Sequence, residues 1–267
     1  MKTIHIALAL IVTLGFASCN KTNDPEVYFP PEPDLVIASL SSSFDTLNTD
    51  MNATAASLAP FVADTTVVRD NMLGLFNRSS FILEFSYVTP QGIMQVVEPA
   101  VYHYIQGSDI STQNHVIQCF TTKKPALSKL FYAVEDFYSV VDMHPILDQG
   151  TLQGGITALF RPQTLLKRII DPLVANQPFE MWVMEKGGVV LFDQDTLEIG
   201  RNVLTDTLYQ PFPELIAAAT LIDAVQSGET YYSYYQTGTN IKVVKKTYWK
   251  TYTLYGREWK IIWVKPE

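Results

Sequence analysis

The chain has 267 residues, of which 47% are hydrophobic and 17% charged, with a formal charge of −8. This composition supports a packed core in one large or two modest domains and excludes global disorder. The acidic balance excludes a nucleic-acid phosphate binder and electrostatic adhesion to anionic lipid, since both need a basic face.

Met1-Lys2 precedes an apolar run over residues 4–16, the pattern of a secretory signal peptide. The run is too short for a stable membrane span. It ends in Phe16-Ala17-Ser18-Cys19, which resembles a bacterial lipobox. That resemblance implies cleavage after residue 18, lipidation of Cys19 with palmitate-type chains, and a place in the cell envelope. Asn20 after the cysteine fits the outer membrane better than the inner one. An ordinary signal with a chance cysteine is the alternative. With Cys19 lipidated, Cys119 has no cysteine partner, and its apolar run over 116–120 reads as the site of a buried, inert thiol. Residues 19–33 carry four prolines and little to bury, so they read as an extended tether.

Residues 34–76 read as a helical region. Asp34 is positioned to cap a first helix. Ile37, Leu40, Phe44, Leu47, Met51, Thr54, Leu58 and Phe61 recur at spacings of three and four, a single apolar stripe. Thr54 interrupts the stripe and flanking charges are few, which favours packing on the protein's own sheet over a coiled coil. Pro60 ends or kinks this helix, and a second follows over 66–76.

Two similar β patterns come next, over residues 77–174 and 175–267. In the first, a strand at 81–88 turns at 89–92 and returns at 93–97. A polar and aromatic loop at 102–109, a short helix at 112–121, paired strands at 137–143 and 155–160, and a helix at 162–170 complete it. In the second, strands at 181–184 and 189–192 flank the turn Glu185-Lys186-Gly187-Gly188, where glycine tolerates positive φ. A helix over 213–225 and a closing hairpin over 245–264 follow. Gly92 and Gly188, and Gly107 and Gly200, sit at similar offsets, as in a duplicated α/β unit.

The glycine turn followed by an acidic loop and Ile199-Gly200 resembles part of a Cache module, the PAS-like unit of extracytoplasmic receptors. Stretches at 107–111, 124–128 and 145–148 are similar to that family's ordered landmarks, as are 198–200 and 256–259 in the second unit. The resemblance covers the chain from about Asp34 onward. It implies an α+β fold: a long N-terminal helix, then a membrane-distal and a membrane-proximal PAS-like module, each a curved antiparallel sheet with flanking helices. It also implies reversible binding of a small extracellular ligand in the distal module, with no cofactor. Amino-acid-binding members carry an arginine over that pocket. The matching stretch at 111–115 has none, which implies a more neutral or less carboxylate-dependent ligand.

The candidate ligand-binding residues are Tyr102, Tyr104, Gln113, His115, Ser128, Tyr138 and Asp148. Tyrosine gives an apolar wall with a polar tip, Gln113 a donor and an acceptor, and Asp148 a partner for a donor or cation. Each taken singly also fits a structural role. The aromatics Tyr231, Tyr232, Tyr234, Tyr235, Trp249, Trp259 and Trp263 read as core and sheet surface, with a second pocket as the alternative. Asp142 and His144 alternate along a strand and need no metal to explain them. The chain carries no metalloprotease, nucleophile-elbow or phosphate-loop motif, so it is not read as an enzyme. The expected role is a lipid-anchored, sensor-type binding protein without its own output domain, which needs a protein partner to pass a signal inward. A structural or interaction lipoprotein that keeps the fold without a ligand is the alternative.

Overall fold

The computed structural model describes residues 29–235 and 241–267. The expected signal peptide over 1–18, Cys19 and most of the expected tether lie outside the described residues. No helix among the described residues is long and apolar enough to cross a membrane.

Helix α1 spans Glu32–Leu58 and α2 spans Thr65–Arg78. Pro31 and Pro33 start α1, where a missing N–H costs nothing. Asp34 is therefore not the cap. It lies inside the first turn and its carboxylate binds Lys250 Nζ at 2.6 Å. Asp64 caps α2 by accepting from the amides of Thr66 and Val67. Of the apolar stripe, Leu40, Phe44, Leu47, Met51, Thr54 and Leu58 are buried. Val36 takes the place expected of Ile37, and Phe61 is exposed in the short 3₁₀ turn that follows Leu58.

Six strands form the first sheet: β1 (Glu84–Val88), β2 (Met94–Glu98), β3 (Ala126–Leu127), β4 (Phe131–Tyr132), β5 (Tyr138–Asp148) and β6 (Thr151–Phe160), with helix α3 (Asn114–Thr122) between β2 and β3. Helix α4 (Pro162–Val174) leads to the second sheet. That sheet contains β7 (Glu180–Glu185), β8 (Val190–Phe192), β9 (Ser227–Tyr235), β10 (Lys242–Leu254) and β11 (Arg257–Pro266), with α5 (Pro213–Ala224) before β9. The orders are β2-β1-β6-β5-β3, with β4 pairing to β5, and β8-β7-β11-β10-β9. Leaving β4 aside, each sheet runs second, first, last, penultimate, third.

The two units also match bond by bond. Both opening hairpins slip register at the same place, between Tyr87 and Val88 and between Val183 and Met184. Beyond the turn, the Met94 amide binds Ser108 O and the Ile110 amide binds Gly92 O. The Val190 amide binds Arg201 O and the Val203 amide binds Gly188 O in the same pattern. The ladders thus pair Glu84 with Glu180, Ser86 with Trp182, and Met94 with Val190 as equivalent positions.

Helix α1 lies along one face of both sheets and closes a single core. Phe44, fully buried, packs edge-on to Phe160 of the first sheet and to Trp259 of the second. Beneath α1 sits a polar node. His144 Nδ1 lies 2.8 Å from Asn52 Oδ1, and its Nε2 lies 3.3 Å from Asp142 Oδ1 and 3.4 Å from the Tyr255 hydroxyl. Both Asp142 oxygens are buried without a hydrogen-bond partner, so the node joins α1 to both units through His144 and its contacts to Asn52 and Tyr255. The opposite faces of the sheets carry separate cores under α3 and under α5.

Candidate ligand cleft in the distal unit

The outer face of the first sheet is covered by α3, the loop before it, and residues 128–137. Strand alternation sends Phe85 and Tyr87 towards α1, and Glu84, Ser86 and Val88 towards this cover. A gap of about 20 Å³ remains between floor and cover, lined by Glu84, Thr157, Gln113, His115, Phe131 and Glu135 among others. Beside it, a second cavity of about 230 Å³ shares Gln113, His115 and Phe131 and adds Ser128, Lys129 and Arg257.

Three polar atoms at the small gap are buried with no hydrogen-bond partner: Glu84 Oε1, Glu135 Oε2 and His115 Nε2. Burial, reinforced by the adjacent Glu135 carboxyl, pushes Glu84 well above the usual carboxylate range. Burial, and then the Arg257 charge, pulls His115 down to about 4, so its imidazole is neutral at pH 7. The His115 ring leans on Phe131, with centroids 5.8 Å apart. Among the described residues, the inner chamber is therefore acidic and its outer neighbour basic, with Gln113 and His115 between them.

The sequence-derived candidates fall into three groups. Gln113 and His115 line both chambers. Ser128 lines the outer one, but its hydroxyl is engaged by the backbone, accepting from the Val141 amide and donating to Lys129 O. Tyr102 is half-buried in the same core, close enough to Glu84 and Glu135 to feel their charge. The other three lie elsewhere. Tyr104 is 67% exposed on the 3₁₀ turn after β2. Tyr138 is 47% exposed, edge-on to Tyr132, and its ring lies over Gly200 of the second unit. Asp148 is exposed at the β5–β6 hairpin tip, where Gln149 and Gly150 both take positive φ. Residues at a hairpin tip cannot reach the middle of a sheet.

Sequence reading missed Glu84, Glu135, Phe131, Lys129 and Arg257. Glu84 left a signal, as the lone charge in the apolar strand run at 81–88. Arg257 left none: it reaches the outer chamber from the second unit, 130 residues beyond Leu127, whose carbonyl its Nε binds at 2.9 Å.

Two such units on a shared N-terminal helix, each with a covered sheet face, define the double Cache architecture of sensor domains. Residues 42–162 match the family model described as the HK/GC/chemotaxis protein-like sensor domain. An extracellular ligand-binding receptor from Desulfohalobium retbaense superposes with a TM-score of 0.73 at 24% identity. The superposition covers 90% of this chain but only 40% of that receptor's length. The periplasmic sensory domain of the Campylobacter jejuni chemoreceptor Tlp1 gives 0.65 at 12% identity, covering 88% of this chain and 92% of that one. The Pseudomonas aeruginosa chemoreceptor PctC domain, solved with GABA, gives 0.63 at 14% identity over 87% and 96%. No curated protein matches the sequence. The chain has the fold of these sensor domains, and over residues 42–162 it is similar to the sensor-domain family.

Proposed function

We propose that the chain is an extracytoplasmic ligand-binding component whose distal cleft takes a small primary amine, and that Cys19 carries its lipid anchor. The observation behind the ligand is the set of three unpartnered polar atoms facing one gap. Buried polar atoms without partners are rare in native proteins and call for one. An ammonium group would replace the proton that burial and Glu135 keep on Glu84, and would offer N–H donors to Glu84 Oε1 and Glu135 Oε2. Lys129 and Arg257 in the outer chamber then offer counter-charge for a polar or anionic tail. The PctB and PctC neighbours, solved with L-Gln, L-Arg and GABA, also hold amines. The lipobox at 16–19 supports an envelope location, and a bound protein partner would carry the signal onward.

The gap holds about one water at its present size. Ligand entry therefore requires the cover at 112–137 to move outward. The same small volume favours a second reading, an interaction protein that keeps the fold without a ligand. A thermal-shift panel of amines, amino acids, polyols and carboxylates separates the two. The proposal expects primary amines to raise the melting temperature by mass action, and Glu84→Gln to abolish the rise. No shift with any amine, together with a stable protein complex formed without ligand, would establish the second reading. For the anchor, labelling with an alkyne-bearing fatty acid should tag the wild-type chain and not Cys19→Ala.

A further inference from the structure

The second unit holds a cavity of about 260 Å³ at the position equivalent to the distal gap. The equivalence is positional: Met94, Ile110, Leu159 and Glu84 line the distal gap, and their ladder counterparts Val190, Val203, Val264 and Glu180 line this one. The walls differ in chemistry. Ser86 and Thr157, which bind each other on the distal floor, become Trp182 and Ile262. The cover contributes Tyr209 and Phe212, and the sheet adds Tyr232 and Tyr234. Tyr234 meets Phe212 edge-on at 6.1 Å and lies stacked beside Tyr232 at 6.5 Å.

Charge is distributed unevenly over these walls. Lys245 is the lone cation among the lining residues, and Glu180 already holds it at 2.7 Å. Asp193 and Glu198 remain. Glu198 accepts from the Tyr209 hydroxyl, and Asp193 Oδ1 accepts from the Asp195 amide at 2.9 Å. Burial pushes the Asp193 carboxyl up to about 6, and the neighbouring carboxylates Glu198, Glu180 and Asp195 add to the shift. A cation in the cavity would relieve that repulsion. An anion would meet two carboxylates and no free lysine in the lining.

We propose that this proximal cavity is a second binding site, for a small alkylated ammonium ion held by the faces of Trp182, Tyr209, Phe212, Tyr232 and Tyr234 with Asp193 and Glu198 as counter-charge. Aromatic faces attract a cation that has few or no N–H donors, because the ring quadrupole needs no hydrogen bond. The proposed distal site makes the opposite demand, since Glu84 Oε1 and Glu135 Oε2 would take N–H donors. The two sites of one fold thus select two classes of cation.

The probe is tetramethylammonium chloride, titrated into the full chain by calorimetry and by tryptophan fluorescence, with neopentyl alcohol as a neutral counterpart of similar shape. The site predicts saturable heat and a fluorescence change for tetramethylammonium, and at least tenfold weaker binding of the alcohol. Tyr234→Leu should weaken binding at least tenfold and the near-isosteric Asp193→Asn several-fold. Glu84→Gln should leave it unchanged, which keeps the result independent of the distal proposal. Circular dichroism and melting of each variant show that it is folded. Absence of saturable binding, equal binding of the alcohol, preferential binding of a neutral sugar such as maltose, or loss in Glu84→Gln but not in Tyr234→Leu would each overturn the inference.

Discussion

The two units share a frame down to single hydrogen bonds, yet their outer faces are filled differently. In the distal unit, the β1 position at the cleft is Glu84, 1% exposed and without a counter-cation in contact. In the proximal unit, the equivalent Glu180 has a side chain 60% exposed and is paired to Lys245. Two positions on, hydroxyl chemistry at Ser86 becomes an indole at Trp182. Over the Glu84 position the distal cover leaves only one-water space, with a chamber of about 230 Å³ beside it, and the proximal one leaves about 260 Å³ over the equivalent position. The lesson is that backbone pairing sets where a cleft lies, while a handful of inward side chains decide what it accepts. Fold likeness alone does not carry ligand identity.

The comparison can first be broken at the seam. Phe44 touches both sheets, so Phe44→Ala leaves a cavity shared by both units and should cost about 3–5 kcal/mol. Chemical denaturation should still show one transition, because the core under α1 is continuous. Two separated transitions would mean that the units are energetically independent.

A smaller effect distinguishes the two equivalent turns. Gly92 and Gly188 both have positive φ, so alanine is strained at each by about 1–3 kcal/mol. At Gly92 a new Cβ would fall 2.5 Å from the Ser111 Cα, which is backbone. At Gly188 its nearest neighbour would be Leu204 Cγ at 2.6 Å, on a side chain that can turn away. Gly92→Ala should therefore lower stability by more than Gly188→Ala, measured by urea denaturation. Equal losses would show that φ alone decides.

The smallest effect is the most specific. Glu84 has a raised folded pKa, so its unfolded form ionises first as pH rises, and stability falls from the ordinary carboxylate range upward through the folded value. Glu84→Gln should remove that slope and raise the melting temperature relative to wild type at about pH 8 but little at about pH 4. Glu180→Gln breaks an exposed pair and should change stability by less than about 1 kcal/mol at either pH. On the acid side, His115 has a depressed pKa, so wild-type stability should also fall as pH drops from about 6.5 to about 4. A His115→Phe variant should lack that part of the acid loss.

Much of the fold was legible because it rests on local, periodic signals. The α1 stripe, the glycine turns at 89–92 and 185–188, and the closing hairpin are each written within a short window. The site was less legible because it is assembled across distance. Gln113 and His115 line the cleft because they sit at the start of α3, in the stretch 111–115 that the family resemblance pointed to. Tyr104, Tyr138 and Asp148 were chosen for residue type, and side-chain chemistry says nothing about which way a turn or a strand end faces. Glu135 stands in a loop with Asp136 beside it, and only the fold reveals that the first is buried and the second exposed. Arg257 belongs to the other unit, so no window around the cleft contains it. The proximal aromatics were read as core and sheet surface, with a second pocket as the alternative; alternation along β9 sends Tyr232 and Tyr234 into a cavity while Tyr231 and Tyr235 face solvent.

The most direct test of the central claim is calorimetry of a bound primary amine in two buffers of different ionisation enthalpy at about pH 6, where the free amine is fully charged. If an ammonium group displaces the proton that burial keeps on Glu84, binding should release protons, and the release should vanish in Glu84→Gln. Tight binding with no proton release, unchanged in that variant, would contradict the account.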